Sequence, residues 1–281
     1  LLNEQKQVII NWAVTRGLDP NPRLKPSGVE WPASIPSHWQ VKRLKNLARF
    51  LSGGTPSTSS QEFWNGSIPW VSPKDMKGPC ILDAQDHVTE LALAERALPR
   101  VPSGSMLIVV RSGILRRQIP VAITDCETTI NQDMKAVICD HHRLVPEFLM
   151  MFIVGNQRAL LSIWRKHGAT VESLELDWIR DTYVPVPPME EQHSIVQELL
   201  DRTKAFDSAS ALIGKQISLL REYRTRLIAD VVTGKLDVRD VELPDLEDAD
   251  IAYDLGDSGF NSDTDQDDLP DAEEVEANDE D

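Results

Sequence analysis

The sequence predicts an α+β fold: a globular part built on a mixed sheet, then a long coiled-coil helix, then a disordered acidic tail. Three observations predict it. Residues 36–186 alternate short apolar or β-branched runs with polar loops, without a strict βαβ rhythm. From about Glu190 to Val232, Leu199, Phe206, Ile213, Leu220 and Leu227 recur every seven residues, with Val196, Ile217 and Val231 partly filling a second line. Residues 241–281 hold eighteen Asp and Glu and no Lys or Arg, a composition too poor in apolar side chains to bury a core.

Residues 1–15 read as helix, stopped by Gly17 and Pro20. Residues 19–39 carry prolines every few positions, which excludes helix and favours an extended path. Trp31 and Trp39 would pin that path onto the globular part. Gln40–Leu44 alternates like a strand, and Lys45–Leu51 is a short helix or strand. The polar loop Ser52-Gly53-Gly54-Thr55-Pro56-Ser57-Thr58-Ser59-Ser60 follows, then a strand over Ile68–Ser72 and a loop to Gly78. Leu91–Leu98 is a short helix, Met106–Arg111 a buried strand and Val121–Ile123 another strand. Thr129–Ile138 alternates, then turns apolar. Pro146–Arg165 is expected as one amphipathic helix, His167–Thr170 as a turn, Leu174–Ile179 as a short element and Thr182–Val186 as the last strand. Two prolines before Glu190-Glu191 suit a helix start, where an N–H is unpaired and the dipole favours negative charge. Forty residues of helix make a rod on the order of 60 Å, which Gly234 ends.

The opening of the chain repeats the end of that helix. Leu1, Leu2, Glu4, Ile10, Val14, Thr15, Leu18 and Asp19 match residues 218 positions later, and Leu2 and Ile9 fall on the heptad line of Leu220 and Leu227. The pattern is that of a duplicated protein, and the chain reads as its C-terminal portion: 1–18 the end of one helix, 19–35 a linker, 36–186 the globular domain, 187–239 the second helix, 240–281 the tail.

The net charge of −16 belongs to the tail, since residues 1–240 hold 27 acids against 29 bases. Cys80, Cys126 and Cys139 show no paired spacing and suit a reducing cytoplasm. No apolar run reaches membrane length. Gly53-Gly54-Thr55 lacks the Gly-Lys-Ser/Thr of a phosphate loop. His141 and His142 are adjacent rather than spaced for zinc, and no nucleophile sits beside a convincing base. Binding is the remaining class. Lys74, Lys77, Arg111, Ser112, Arg116, Arg117, Asn131, Gln132, Lys135, Arg165 and Lys166 fall at strand ends and loops, and these residue types hold phosphates or read base edges.

The motifs, in their order, resemble those of the specificity subunit of type I restriction–modification systems. The stretches that carry the resemblance are Lys25–Trp31 with Ile35–Trp39, Ser52–Ser57 with Trp64 and Ile68–Val71, Arg111–Leu115, Asn131–Lys135, and Val186–Gln192 leading into the long helix. The resemblance implies a non-catalytic subunit that reads one half of a bipartite double-stranded DNA target. Its helices would act as spacer and dock modification (methyltransferase) subunits, and through the complex a restriction/translocase subunit. No cofactor is expected in this chain: S-adenosylmethionine, ATP and Mg would belong to partner subunits. Lys74, Arg111, Ser112, Arg116, Arg117, Asn131 and Gln132 are the expected DNA-facing residues. Leu199, Phe206, Ile213, Leu220, Leu227, Leu2 and Ile9 are the expected coiled-coil seam. The alternatives are a coiled-coil interaction scaffold that reads no DNA, or a half-length specificity subunit acting as a dimer.

Overall fold

The computed structural model describes residues 2–96, 98–166 and 171–238. The expected tail (240–281) and the turn at 167–170 lie outside the described residues, as does the side chain of Leu2. The chain divides into two compact units, Leu1–Lys215 and a second from Gln216 onward. Helix α1 (Leu2–Arg16) leads into a hairpin of β1 (Leu24–Pro26) and β2 (Ser34–Pro36), so the proline-rich linker is extended and paired on itself. The strands β3 (Gln40–Arg43), β4 (Ala48–Ser52), β5 (Trp64–Val71), β6 (Cys80–Ile81) and β7 (Asp86–Val88) precede α2 (Glu90–Arg96). Then come β8 (Met106–Val109), β9 (Val121–Thr124), β10 (Thr129–Ile130) and β11 (Met134–Cys139). The helices α3 (Pro146–Gly155), α4 (Gln157–Trp164) and α5 (Leu176–Asp181) lead to β12 (Tyr183–Val186) and α6 (Met189–Val232).

The central sheet has the order β4-β11-β8-β9-β6, antiparallel except where β6 runs parallel to β9. Both of its faces are covered, which explains why all four residues of β8 are apolar. Met106 and Ile108 join Val137 and Cys139 under the helices, in a core shared with Ile10, Val14, Phe148, Trp164 and Leu199. Leu107 and Val109 face Val71, Ile81, Val101 and Ile130 from the neighbouring elements. A second sheet, β10-β5-β7, holds Ile68, Trp70 and Val88 against α2, together with Phe63 from the turn before β5. Strand β12 pairs with β3. Cys139 is buried, and burial pushes its thiol up to about 12. Cys80 is exposed, so only Cys139 behaves as a core residue in full.

The single helix expected over Pro146–Arg165 is two helices, broken at Gly155-Asn156. The cause lies across the fold. Helix α1 crosses so close that a Cβ on Gly155 would stand 2.9 Å from the Asn11 backbone nitrogen. Asn11 Nδ2 donates to Asn156 Oδ1 at 2.6 Å, and Asn156 Nδ2 donates back to Phe152 O at 2.7 Å. Covered by α1 on one side and the sheet on the other, α3 is apolar nearly all round rather than amphipathic.

Besides the core residues Ile195, Val196 and Leu199, two polar side chains fasten the start of α6 to the globular part. Gln192 is fully buried: its Oε1 accepts from Val145 N–H at 2.8 Å, and its Nε2 donates to Arg143 O and Pro187 O, each at 3.0 Å. Glu191 Oε2 accepts from Trp39 Nε1 at 3.1 Å and lies 2.7 Å from His38 Nε2. Truncating Gln192 to Ala strands three buried polar groups of the main chain. We expect a loss of about 3 kcal/mol in urea unfolding, against a change within about 0.5 kcal/mol for the exposed neighbour His193→Ala.

Candidate nucleic-acid interface

Strand polarity gathers four loops at one end of the globular part. Strands β4 and β8 both run antiparallel to β11, pairing Ser52 with Lys135 and Val109 with Met134. Their C-terminal ends therefore meet the N-terminal end of β11. Strand β10 leads into β11 through Asn131-Gln132-Asp133, and β5 runs parallel to β10, pairing Val71 with Ile130. The loops that begin at Gly53, Ser72, Val110 and Asn131 thus emerge side by side, and all seven residues expected to face DNA lie on three of them.

Each loop is braced from within. Gly54 N–H donates to Ile130 O at 3.0 Å, Trp70 Nε1 to Gly54 O at 2.9 Å and Trp64 Nε1 to Ser57 O at 3.0 Å. Lys74 sits exposed in a 3-10 turn that Ser72 and Asp75 close: Ser72 N–H donates to Asp75 Oδ2 at 2.8 Å and Ser72 Oγ to the same oxygen at 2.9 Å. Val110 N–H and Arg111 N–H both donate to Asp133 O, at 2.8 and 3.2 Å. Ser112 caps the 3-10 turn Gly113–Arg116, and its own N–H donates to Glu172 O at 3.0 Å.

The charges interleave. Arg111 Nε lies 3.4 Å from Asp133 Oδ1, and Arg116 Nε and Arg165 Nε lie 3.6 and 3.4 Å from the two oxygens of Glu172. These separations exceed a good hydrogen bond. The side chains of Arg111 and Arg116 remain 60% and 72% exposed, so both guanidinium groups can serve an external anion without unfolding anything. Arg165 is spent locally, donating to Leu115 O at 2.8 Å. Half-buried Lys135 stands at the same end; burial pushes its ammonium below the usual lysine range, and Asp133 opposes that shift.

The seven expected residues divide. Lys74, Arg111, Arg116, Arg117 and Gln132 present exposed side chains at this end. Ser112 is partly buried and works as a cap. Asn131 is buried, and its Oδ1 accepts from Asp133 N–H at 3.1 Å. Thr55, Asp133 and Glu172 join the site from outside the expected set. Thr55 belongs to the polar loop that the sequence marks, whereas Asp133 and Glu172 gain a role only by packing beside arginines. Among the described residues, no group of His, Cys, Asp and Glu is arranged to hold a metal ion, and no helix is long and apolar enough to cross a membrane.

The expected seam divides as well. Leu199 is in the core of the globular part and Ile9 packs against that core. Phe206 is half-buried, and Ile213, Leu220 and Leu227 are exposed. Between α1 and the first turns of α6 lies a cleft of about 520 Å³, lined by Val8, Trp12, Leu18, Leu199 and Arg202 among others.

A profile described as the type I restriction modification DNA specificity domain matches residues 36–219. The chain is 38% identical over 162 residues to the type I restriction enzyme EcoR124I/EcoR124II specificity subunit of Escherichia coli, covering 57% of this chain and 40% of that protein. It is 31% identical over 168 residues to the type I restriction enzyme MjaIX specificity subunit of Methanocaldococcus jannaschii, covering 59% and 38%. The fold is shared with the crystal structure of the HsdS subunit from Thermoanaerobacter tengcongensis, at a TM-score of 0.54 and 15% identity over 75% of this chain and 45% of that one. It is shared too with a chain from a structure of type I R-M system assembly and conformational transition, at 0.60 and 16% over 81% and 52%. The matches thus span about half or less of these longer chains.

The glycine of the first loop offers a test of the bracing. A Cβ on Gly53 would stand 2.1 Å from the carbonyl oxygens of both Ile130 and Asn131, whereas Gly113 has open space. Gly53→Ala should cost about 2 kcal/mol or more in urea unfolding, and Gly113→Ala less than about 1 kcal/mol.

Proposed function

The chain belongs to the type I restriction modification DNA specificity family, and from that premise we propose that it is a DNA-recognition subunit whose four-loop end enters the major groove. It reads one half of a bipartite target. It performs no catalysis itself: methyl transfer to adenine with S-adenosylmethionine, and ATP- and Mg-dependent cleavage, belong to modification and restriction subunits of a cytoplasmic complex. The observation that carries this reading is the convergence of Lys74, Arg111, Arg116, Arg117 and Gln132, all exposed, on one end of a braced scaffold. Phosphates would take the arginines and lysine for affinity, and base edges would take the side chains that reach deepest.

The helices supply the docking role in this proposal. Helix α1 buries Ile10, Ala13 and Val14 against the globular part, with Thr15 Oγ1 donating back to Asn11 O at 2.6 Å. The repeat sets Ile228, Val231, Val232 and Thr233 at the same places in the end of α6. There Thr233 Oγ1 donates to Ala229 O at 2.7 Å, while Ile228 and Val232 are exposed. The helix face that α1 buries against this globular part is thus presented a second time, which suits a partner subunit, a second globular part in a longer chain or a second copy of this chain.

The reading is tested with the full chain and a duplex of mixed sequence. Replacing Arg116 and Arg117 together with Ala should weaken binding across all sequences. The slope of log affinity against log salt, measured by fluorescence anisotropy between about 50 and 200 mM, should become shallower by about 0.9 for each phosphate that the variant no longer neutralises. An unchanged affinity and slope would favour the alternative, a helical scaffold whose globular part binds protein.

A further inference from the structure

One exposed side-chain pair joins two of the four loops, and its hydrogen-bonding pattern is matched to a particular base. Thr55 Oγ1, on the loop after β4, donates to Gln132 Oε1, on the turn between β10 and β11. Both partners are held from beneath. Thr55 follows Gly54, which is fixed by its N–H to Ile130 O and by Trp70 Nε1 to its carbonyl. Gln132 follows Asn131, whose N–H donates to Val71 O at 3.0 Å and whose Oδ1 accepts from Asp133 N–H. Gly53 closes the gap between the loops, lying against the carbonyls of Ile130 and Asn131.

A glutamine amide carries an acceptor and a donor side by side, and a side chain held in place presents that pair at one position rather than over many rotamers. The bond from Thr55 Oγ1 holds the Gln132 amide against the neighbouring loop. It occupies one lone pair of Oε1 and leaves the other lone pair, with both Nε2 hydrogens, for a ligand. An acceptor beside a donor complements the major-groove edge of adenine, which presents its N6 amino group as donor beside N7 as acceptor. Guanine presents two acceptors there, thymine an acceptor and a methyl group, and cytosine a donor alone. An amide held in place before DNA arrives also loses little rotamer freedom on binding. Building on the DNA-reading role stated above, we propose that Gln132 reads one adenine of the target in the major groove, and that Thr55 is the positioning residue that holds its amide in place.

The test is selection from a randomised duplex library by the full chain and by single variants at one salt concentration. The wild-type chain is expected to enrich a motif with adenine at one position that depends on Gln132. Gln132→Ala should lose about tenfold or more of the preference at that position while keeping the rest of the motif. Gln132→Glu, which only accepts, should move the preference at that position toward cytosine. Thr55→Val should weaken the same preference without changing affinity for non-specific duplex, and Thr55→Ser should restore it; a merely structural role for Thr55 would not produce that position-specific loss. Adenine preferences unchanged in Gln132→Ala and Thr55→Val overturn the inference while the DNA-reading role stands. A wild-type chain that enriches no motif overturns both.

Discussion

The buried amide of Gln192 is the joint on which the first unit depends. It satisfies the Val145 N–H where α3 begins, the Arg143 carbonyl before it and the Pro187 carbonyl before α6. Beside it, Glu191 holds Trp39 and His38, which lie at the start of the globular part in sequence. The chain thus enters and leaves the domain at one place. Gly17, at the end of α1, lies against the same Glu191 and Trp39 side chains, close enough that a Cβ there would stand 3.1 Å from Glu191 Oε1. A buried network of this kind stabilises only when every member is paired, and here each polar atom of the Gln192 amide has a partner. The consequence for function is mechanical. Under the proposed function, the DNA-reading part is fixed to the first turns of α6 by this hydrogen-bonded joint.

The four-loop end follows from topology rather than from any single motif. Two strands antiparallel to β11, one strand leading into it and one parallel to that strand bring residues 53, 72, 110 and 131 to a common end. The loops are then stiffened by bonds that spend no exposed polar group: two indole N–H groups, one glycine packed against carbonyls and the Asp133 carbonyl shared by Val110 and Arg111. The acids Asp133 and Glu172 space the arginines and offset their repulsion, at separations long enough to leave the Arg111 and Arg116 guanidinium groups available.

Much of this is legible in the sequence. The apolar run Met106–Val109 and the acidic start of α6 name their elements because local pattern and burial agree, whereas the alternation of Thr129–Ile138 hides two strands of different sheets joined by the turn Asn131–Asp133. The break at Gly155-Asn156 is not legible, since it is imposed by Asn11, some 145 residues away. The heptad line reads as one seam, yet Leu199 enters the globular core while Leu220 and Leu227 are exposed. Periodicity identifies an apolar face and does not say what covers it. Asn131 and Gln132 look equivalent as candidate base readers by residue type. Folding separates them, because the first is spent on closing its own turn and the second projects toward Thr55. Asp133 and Glu172 carry no signal as members of the site, since an acid among DNA contacts is recognised only from the arginines it spaces.

The measurement that bears most directly on the central claim is hydrogen–deuterium exchange of the full chain with and without duplex DNA. On the proposal that the four loops form the interface, slowed exchange is expected in residues 53–60, 72–78, 110–117 and 131–133, with no change around the hairpin at 24–36. Protection confined to that hairpin or to α6, with the four loops exchanging as in the free chain, would contradict the account.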